Sequence, residues 1–443
     1  MINRRRLLQM GGLGFVGVLG LDRTTRAAPA ERRDVPRGTH IKACILIFHY
    51  GGPSQLETFD PKPEAPSGIR GEYQAIETAV PGLRISERLP RVAKVMNRIA
   101  LVRTMHHPMR NHNSAAAEML TGRTPAGGDL ELLADEARSY PTLGSAVSYG
   151  LSTQPGVLPY VALPYTMYNV VQLPGQTPGI LGGVYDRFQV QGDPNAPGFR
   201  LSALDPPGER GPTQMQLREK LLRALNSSEG DVPFVRMRTY QERALQIINS
   251  EELRRAFDIS HERIETREAY GRNLHGQSTL LARRLVEAGV SFVSVFNGQH
   301  NGQEANWDSH TNLFKRHGEL LPPADQALSA LIVDLEERGL LESTLVVSLA
   351  EFGRTPKING TAGRDHWPDC YTIALAGGGV RGGAVHGASD KFAAYPDRDG
   401  VSPADLAATI FCRFGIDPEL EMHDQTLRPF RLAEGKPLFS LFG

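Results

Sequence analysis

The chain has 443 residues, 40% of them hydrophobic and 22% charged, enough to bury a large core as one big α/β domain or two smaller ones. Its formal net charge is +0, but the first thirty residues hold five Arg and one Asp, so the remainder carries 44 basic against 48 acidic residues, a net of −4. No Lys/Arg-rich stripe remains, which argues against nucleic-acid binding, and three scattered cysteines (Cys44, Cys370, Cys412) without a CxxC argue against a disulfide framework.

The N-terminus opens with Arg4-Arg5 and Leu7-Leu8, followed by a weakly apolar, Gly-rich stretch from Met10 to Leu21. Ala28-Pro29-Ala30 supplies an A-x-A cleavage site. This pattern predicts a signal peptide over 1–30 that the twin-arginine (Tat) exporter reads, and a periplasmic or secreted destination. The apolar run is too short and weak for a stable membrane span. Residues 31–40 read as a disordered link.

From residue 41 the chain alternates. Ile41–Tyr50 (IKACILIFHY) is a buried strand by its apolar run, and Arg98–Met105 (RIALVRTM) is a second. Pro159–Pro164 is a weaker third, and Ser291–Phe296, Thr344–Ala350 and Tyr371–Ala376 complete the set. Amphipathic helices fill the later intervals, at Ser278–Gly289 with a Gly stop and within Leu320–Gly339. Ser402-Pro403-Ala404-Asp405 opens the last helix with an N-cap, Pro at N1 and an acidic N3. Strands separated by helices predict a doubly wound, largely parallel sheet with helices on both faces. A single domain over 41–443 is expected, with Pro/Gly-rich excursions at 60–82 and 174–212 and a helical insertion at about 213–260.

The chemistry gathers at strand ends, where such a sheet binds its ligands. The first strand is followed by Ser54, Glu57 and Asp60, the second by His106, His107, His112, Asn113 and Ser114. Next come His300, Asp308 and His310, then Glu351, Arg354, Asp365 and His366. Neutral imidazole with carboxylate is the ligand set of Zn²⁺ or Mn²⁺, while more oxygen ligands favour Mg²⁺ or Ca²⁺. Plainer roles stand beside this one. Asp308 suits a helix cap, and Asp365-His366 suits an ion pair with Arg364 or Arg354. His106-His107 suits local packing. His112 opens an Ala-rich helix, whose free N–H groups favour an anion beside it. Gly377–Gly383 is no P-loop, because it lacks GK[ST] before a helix.

GGPSQLETFDPKP, HNSAAAEMLTGRTP, LLARRLVEAGVSFV, WDSH, LEERGLLESTLVVSLAEFGRTP and GRDHWP together resemble the Tat-exported bacterial family of domain of unknown function 1501, from about Lys42 to Pro429. That family is similar to the alkaline phosphatase-like superfamily of sulfatases and phosphoglycerate mutases. The resemblance implies this fold, with one or two metal ions at the carboxyl edge of the sheet. Asp308 and His310 resemble the superfamily's Asp/His metal pair, and His366 its later histidine. Glu351 stands where an Asp-His pair is usual, but Phe352 follows it. LTGR (Leu120–Arg123) resembles the end of the sulfatase signature, and the nucleophile's position is occupied by His112. No Asp follows the first strand, so Asp60 or Glu57 would have to reach back.

The reading these residues favour is a metal-dependent hydrolase of a phosphate or sulfate ester. Asp308, His310, Glu351, Asp365, His366 and Asp60 are its candidate ligands, for Zn²⁺, Mn²⁺ or Ca²⁺. His112 is the candidate nucleophile or general acid, Arg354 the anion clamp, and Asn113 and Ser54 substrate contacts. The expected partners are a small anionic ester, the Tat translocase during export and a co-expressed exported protein. The alternative is an exported binding or assembly protein that keeps the fold without turnover.

Overall fold

The computed structural model describes residues 40–151, 158–201, 250–298, 306–424 and 426–443. The expected signal peptide, nearly all of the expected link, the end of the 174–212 excursion, most of the expected helical insertion and His300 lie outside the described residues.

Eight strands form the main sheet. They are β1 (Ala43–His49), β2 (Ile99–Met105), β3 (Tyr160–Leu163), β4 (Phe188–Gln189), β5 (Phe292–Asn297), β6 (Thr344–Leu349), β9 (Tyr371–Gly377) and β10 (Val385–His386). Between β6 and β9 a small hairpin pairs β7 (Gly353–Arg354) with β8 (His366–Trp367). The order across the main sheet is β10-β2-β9-β6-β1-β5-β3-β4. Every neighbouring pair is parallel except those of β9, which runs antiparallel to both β6 and β2. No helix crosses between β6 and β9, and without a crossover the returning strand must reverse direction. The sheet is thus largely parallel, with Ala43–His49, Phe292–Asn297 and Thr344–Leu349 at its centre.

Burial explains the apolar runs. All seven residues of β1 are buried. Cys44, Leu46 and Phe48 face one layer, built from α1 (His112–Thr121), α2 (Leu143–Gly150) and α5 (Pro403–Arg413). Ala43, Ile45 and Ile47 face the other, built from α3 (Leu274–Glu287) and α4 (Leu313–Glu337). A strand covered on both faces has no polar side, so it reads as continuous rather than alternating.

Local signals behave as the sequence predicts. Ser402 and Asp405 form a reciprocal capping box at the start of α5. Gly289 follows α3 at φ +91°. Helix α4 starts earlier than its periodicity suggests and carries Pro322 and Pro323 inside it. Part of the 174–212 excursion joins the sheet as its edge strand β4.

Candidate metal centre

β1, β2, β5 and β6 point the same way, so their carboxyl ends share one edge. β1 pairs in register with β6 (Phe48 beside Leu349) and with β5 (His49 beside Asn297). That alignment brings Gly51, Glu351 and the 306–310 segment together. Gly51 has φ +106°, and a Cβ there would stand 2.6 Å from the Trp307 nitrogen. Glycine therefore permits the backbone carrying Asp308 to press against the end of β1.

Glu351 lies two residues past the end of β6 and has no solvent exposure. Its Oε1 accepts from the Gly51 amide at 2.7 Å and from His112 Nδ1 at 2.7 Å, while among the described residues Oε2 has no hydrogen-bond partner. The other imidazole nitrogen of His112, Nε2, is buried 3.4 Å from Asp308 Oδ2.

Two further histidines are held the same way. His310 Nδ1 lies 2.6 Å from Asp365 Oδ1, and His366 Nδ1 lies 2.7 Å from the Arg110 carbonyl. Their Nε2 atoms face each other at 3.0 Å and stand 3.2 Å and 3.5 Å from Asp308 Oδ1. Each of three imidazoles thus has an acceptor on Nδ1 and turns Nε2 toward Asp308. Histidines that hold a metal show this pattern, because the acceptor fixes the tautomer and frees the Nε2 lone pair.

The spacing fits an ion. Two ligands about 2.1 Å from one tetrahedral cation stand roughly 3.4 Å apart, close to the separations here. His112, Asp308 and His366 form a group whose ligand atoms all lie within 4.8 Å of each other. His310 stands beside this group, in contact with Asp308 and His366. Arg354 Nη2 engages Asp308 Oδ1 at 2.7 Å, which leaves Oδ2 for a cation.

The charge balance asks for a positive centre. Burial would push the His112 imidazole down, but its bonds to Asp308 and Glu351 prevail and raise its pKa to about 9. Burial would raise the Asp308 carboxyl, yet His112, His366 and Arg354 hold it well below the usual carboxylate range. Burial lowers His366, so its Nε2 stays available as a lone pair. A proton and a metal cation compete for Nε2 of His112.

The opening of the β7–β8 hairpin is anchored by buried ions. Arg364 meets Glu57 in a two-point pair, Nε to Oε2 at 3.0 Å and Nη2 to Oε1 at 2.6 Å, with both side chains at most 1% exposed. Gly363 lies against the His310 backbone, and a Cβ there would stand 2.6 Å from the Thr311 nitrogen. Phe352 stacks on the His366 ring at 4.5 Å and 28°, fixing its plane.

Several candidates sit elsewhere or are already engaged. Arg354 has no exposure and donates to the carbonyls of Gly51, Gly52 and Arg364 besides Asp308, so it is a strut for the site rather than an anion clamp. Glu351 faces His112 and Gly51, so it orients a ligand-type histidine rather than joining the cluster itself. Asp365 does the same for His310. Asp60 belongs to another cluster, paired with Lys62 at 3.0 Å, Arg103 at 3.4 Å and the Ser389 hydroxyl. Asn113 is engaged at both ends, by Asn169 and the Leu133 carbonyl, whereas Ser54 is buried with its amide on His317 and, among the described residues, no hydrogen-bond partner on its hydroxyl. The Glu57–Arg364 pair and the Arg110 carbonyl escaped the sequence reading. The two carboxyl–guanidinium types were visible there, but not which would meet.

Among solved structures, the chain is similar to Ps i-CgsB in complex with k-i-k-neocarrahexaose, at 12% identity and TM-score 0.44, covering 90% of this chain and 76% of that one. It is also similar to the PsFucS1 sulfatase from Pseudoalteromonas sp. at 15% identity and TM-score 0.40, covering 86% and 69%. A protein in the alkaline phosphatase superfamily from Vibrio parahaemolyticus matches at 10% identity and TM-score 0.39, covering 86% and 68%. At these values no residue's role is carried over from them. No curated protein matches the chain. Residues 41–442 match the family described as "Protein of unknown function (DUF1501)", and the chain belongs to that family.

Proposed function

We propose that this protein is an exported, metal-dependent hydrolase of a phosphate or sulfate ester. The observation that carries the reading is the common orientation of His112, His310 and His366, each tied at Nδ1 and turned at Nε2 onto Asp308. Three imidazoles and one carboxylate suit Zn²⁺ or Mn²⁺ better than the oxygen-seeking Ca²⁺. A divalent cation bound there supplies Lewis acidity for attack on the ester.

The chain's own residues do the rest. Glu351, Asp365 and the Arg110 carbonyl set the tautomers of the three histidines. Arg354 holds Asp308 in its carboxylate form, and Phe352 keeps water off one face of His366. The test is turnover of a panel of phosphate and sulfate monoesters by protein supplied with Zn²⁺ or Mn²⁺. Hydrolysis of at least one ester supports the reading, and silence across the panel with metal bound contradicts it. That second outcome favours a binding or assembly protein, working with a co-expressed exported partner. The engagement of Arg354 Nε, Nη1 and Nη2 by backbone carbonyls and Asp308 speaks for it, since that guanidinium is not free to grip an anion.

Export is part of the proposal. No described helix is long and apolar enough to cross a membrane. With Arg4 and Arg5 both changed to Lys, unprocessed protein should stay in the cytoplasm, and normal export of that variant contradicts Tat reading.

A further inference from the structure

The hairpin that turns His366 inward turns the next residue, Trp367, outward. Trp367 is half-buried, and its indole N–H donates to the Ala394 carbonyl at 2.6 Å. Tyr395, 53% exposed, meets it edge-on with ring centroids 5.6 Å apart at 63°. The Arg110 guanidinium lies 5.8 Å from the Trp367 ring centre and pairs with Asp369 through both carboxylate oxygens, at 3.1 Å and 2.8 Å.

This corner is held rigid. Asp390 Oδ1 accepts from the amides of Phe392 and Ala394, the Asp390 amide donates to the Tyr395 carbonyl, and Gln55 Nε2 donates to the Ala393 carbonyl. It also adjoins the metal centre directly, because the Arg110 carbonyl is the acceptor for His366 Nδ1. Tyr395 thus presents its ring to solvent from a pinned loop, beside the Trp367 indole.

We infer that Arg110, Trp367, Asp369 and Tyr395 form a saccharide subsite, so that the ester hydrolysed at the metal centre is carried on a sugar. This rests on the hydrolase reading above. A pyranose has one apolar C–H face, which suits an aromatic ring, and a rim of hydroxyls, which suits the paired donor and acceptor of Arg110 and Asp369. The two rings meet at an angle, giving a floor and a wall rather than the parallel slot that a flat nucleobase would fill.

The chain supplies its own reporter. It has two tryptophans, and Trp307 is 1% exposed, so iodide reaches Trp367 alone. Titrate the full mature protein with a monosulfated disaccharide, its unsulfated parent, inorganic sulfate and a nucleoside monophosphate, following iodide quenching. Both disaccharides should cut the quenching of Trp367 by about half, because a bound ligand is mostly enclosed. Sulfate alone should leave it unchanged. Tyr395→Ala should weaken the disaccharides about ten-fold, and Tyr395→Phe should restore them, since the ring and not the hydroxyl makes the contact. Protection by the nucleotide but not by the saccharides, or by sulfate alone, overturns the proposal. So does an unchanged saccharide affinity in Tyr395→Ala. The readout needs neither turnover nor metal, so a failed ester panel with intact saccharide protection indicts the hydrolase reading, and the reverse indicts the subsite.

Discussion

His112 Nδ1 and Glu351 Oε1 lie 2.7 Å apart although 239 positions separate the two residues in the chain. One opens the helix after β2 and the other lies just past the end of β6, so the contact exists only when the sheet is assembled. Replacing Glu351 with Gln removes the charge but keeps the shape. Metal affinity should fall about 10- to 100-fold, as for other lost partners of ligand histidines. Isothermal titration with Zn²⁺ measures this, and an unchanged affinity would place Glu351 outside the machinery.

The Arg364–Glu57 pair should matter to stability through what it leaves behind. Arg364→Ala strands a buried carboxylate and should cost about 3–5 kcal/mol in denaturant unfolding. The double change Arg364→Met with Glu57→Met should recover much of that loss, because neither charge is then left alone. If the double variant is as unstable as the single one, the hairpin is anchored by something else.

Acid should unfold the protein through three buried histidines. Burial lowers His49 to about 3, His107 to about 4 and His317 to about 3. Each accepts a hydrogen bond when neutral. His107 Nδ1 takes the Met109 amide, His317 Nε2 the Ser54 amide, and His49 Nδ1 faces the Asn297 amide nitrogen. Their folded values lie below the ordinary value near 6.5, so the unfolded chain binds protons first as pH falls. The stability they contribute is whole above about pH 6.5 and declines toward pH 4, by on the order of 1.4 kcal/mol per pH unit for each one. Urea midpoints across that range test it, and a flat profile between pH 7 and 5 would contradict it.

The sheet was largely legible. Runs such as CILIFH and TLVVSL are buried on both faces, and such burial leaves a continuous apolar signature. The gathering of imidazoles and carboxylates at one edge was legible too, because strand ends announce where a parallel sheet puts its loops. Partner choice was not. Arg354 and Arg364 are ten residues apart on one loop, yet one braces Asp308 and the other Glu57. Those matches depend on Gly51, Gly52 and Ile69, backbone groups hundreds of positions away that no local pattern encodes. The reversal of β9 was hidden for a related reason. Its residues read as a buried strand either way, and only the lack of a helix between β6 and β9 marks its direction.

We propose above all that His112, His366 and Asp308, with His310 beside them, hold one divalent cation. The most direct test is elemental analysis of the purified full-length protein after equilibration with Zn²⁺ or Mn²⁺, beside Asp308→Ala and His366→Ala. The account predicts one tightly bound ion per chain in the parent and its loss in both variants, with circular dichroism unchanged. A parent protein that folds and holds no ion, or variants that bind as the parent does, would contradict it.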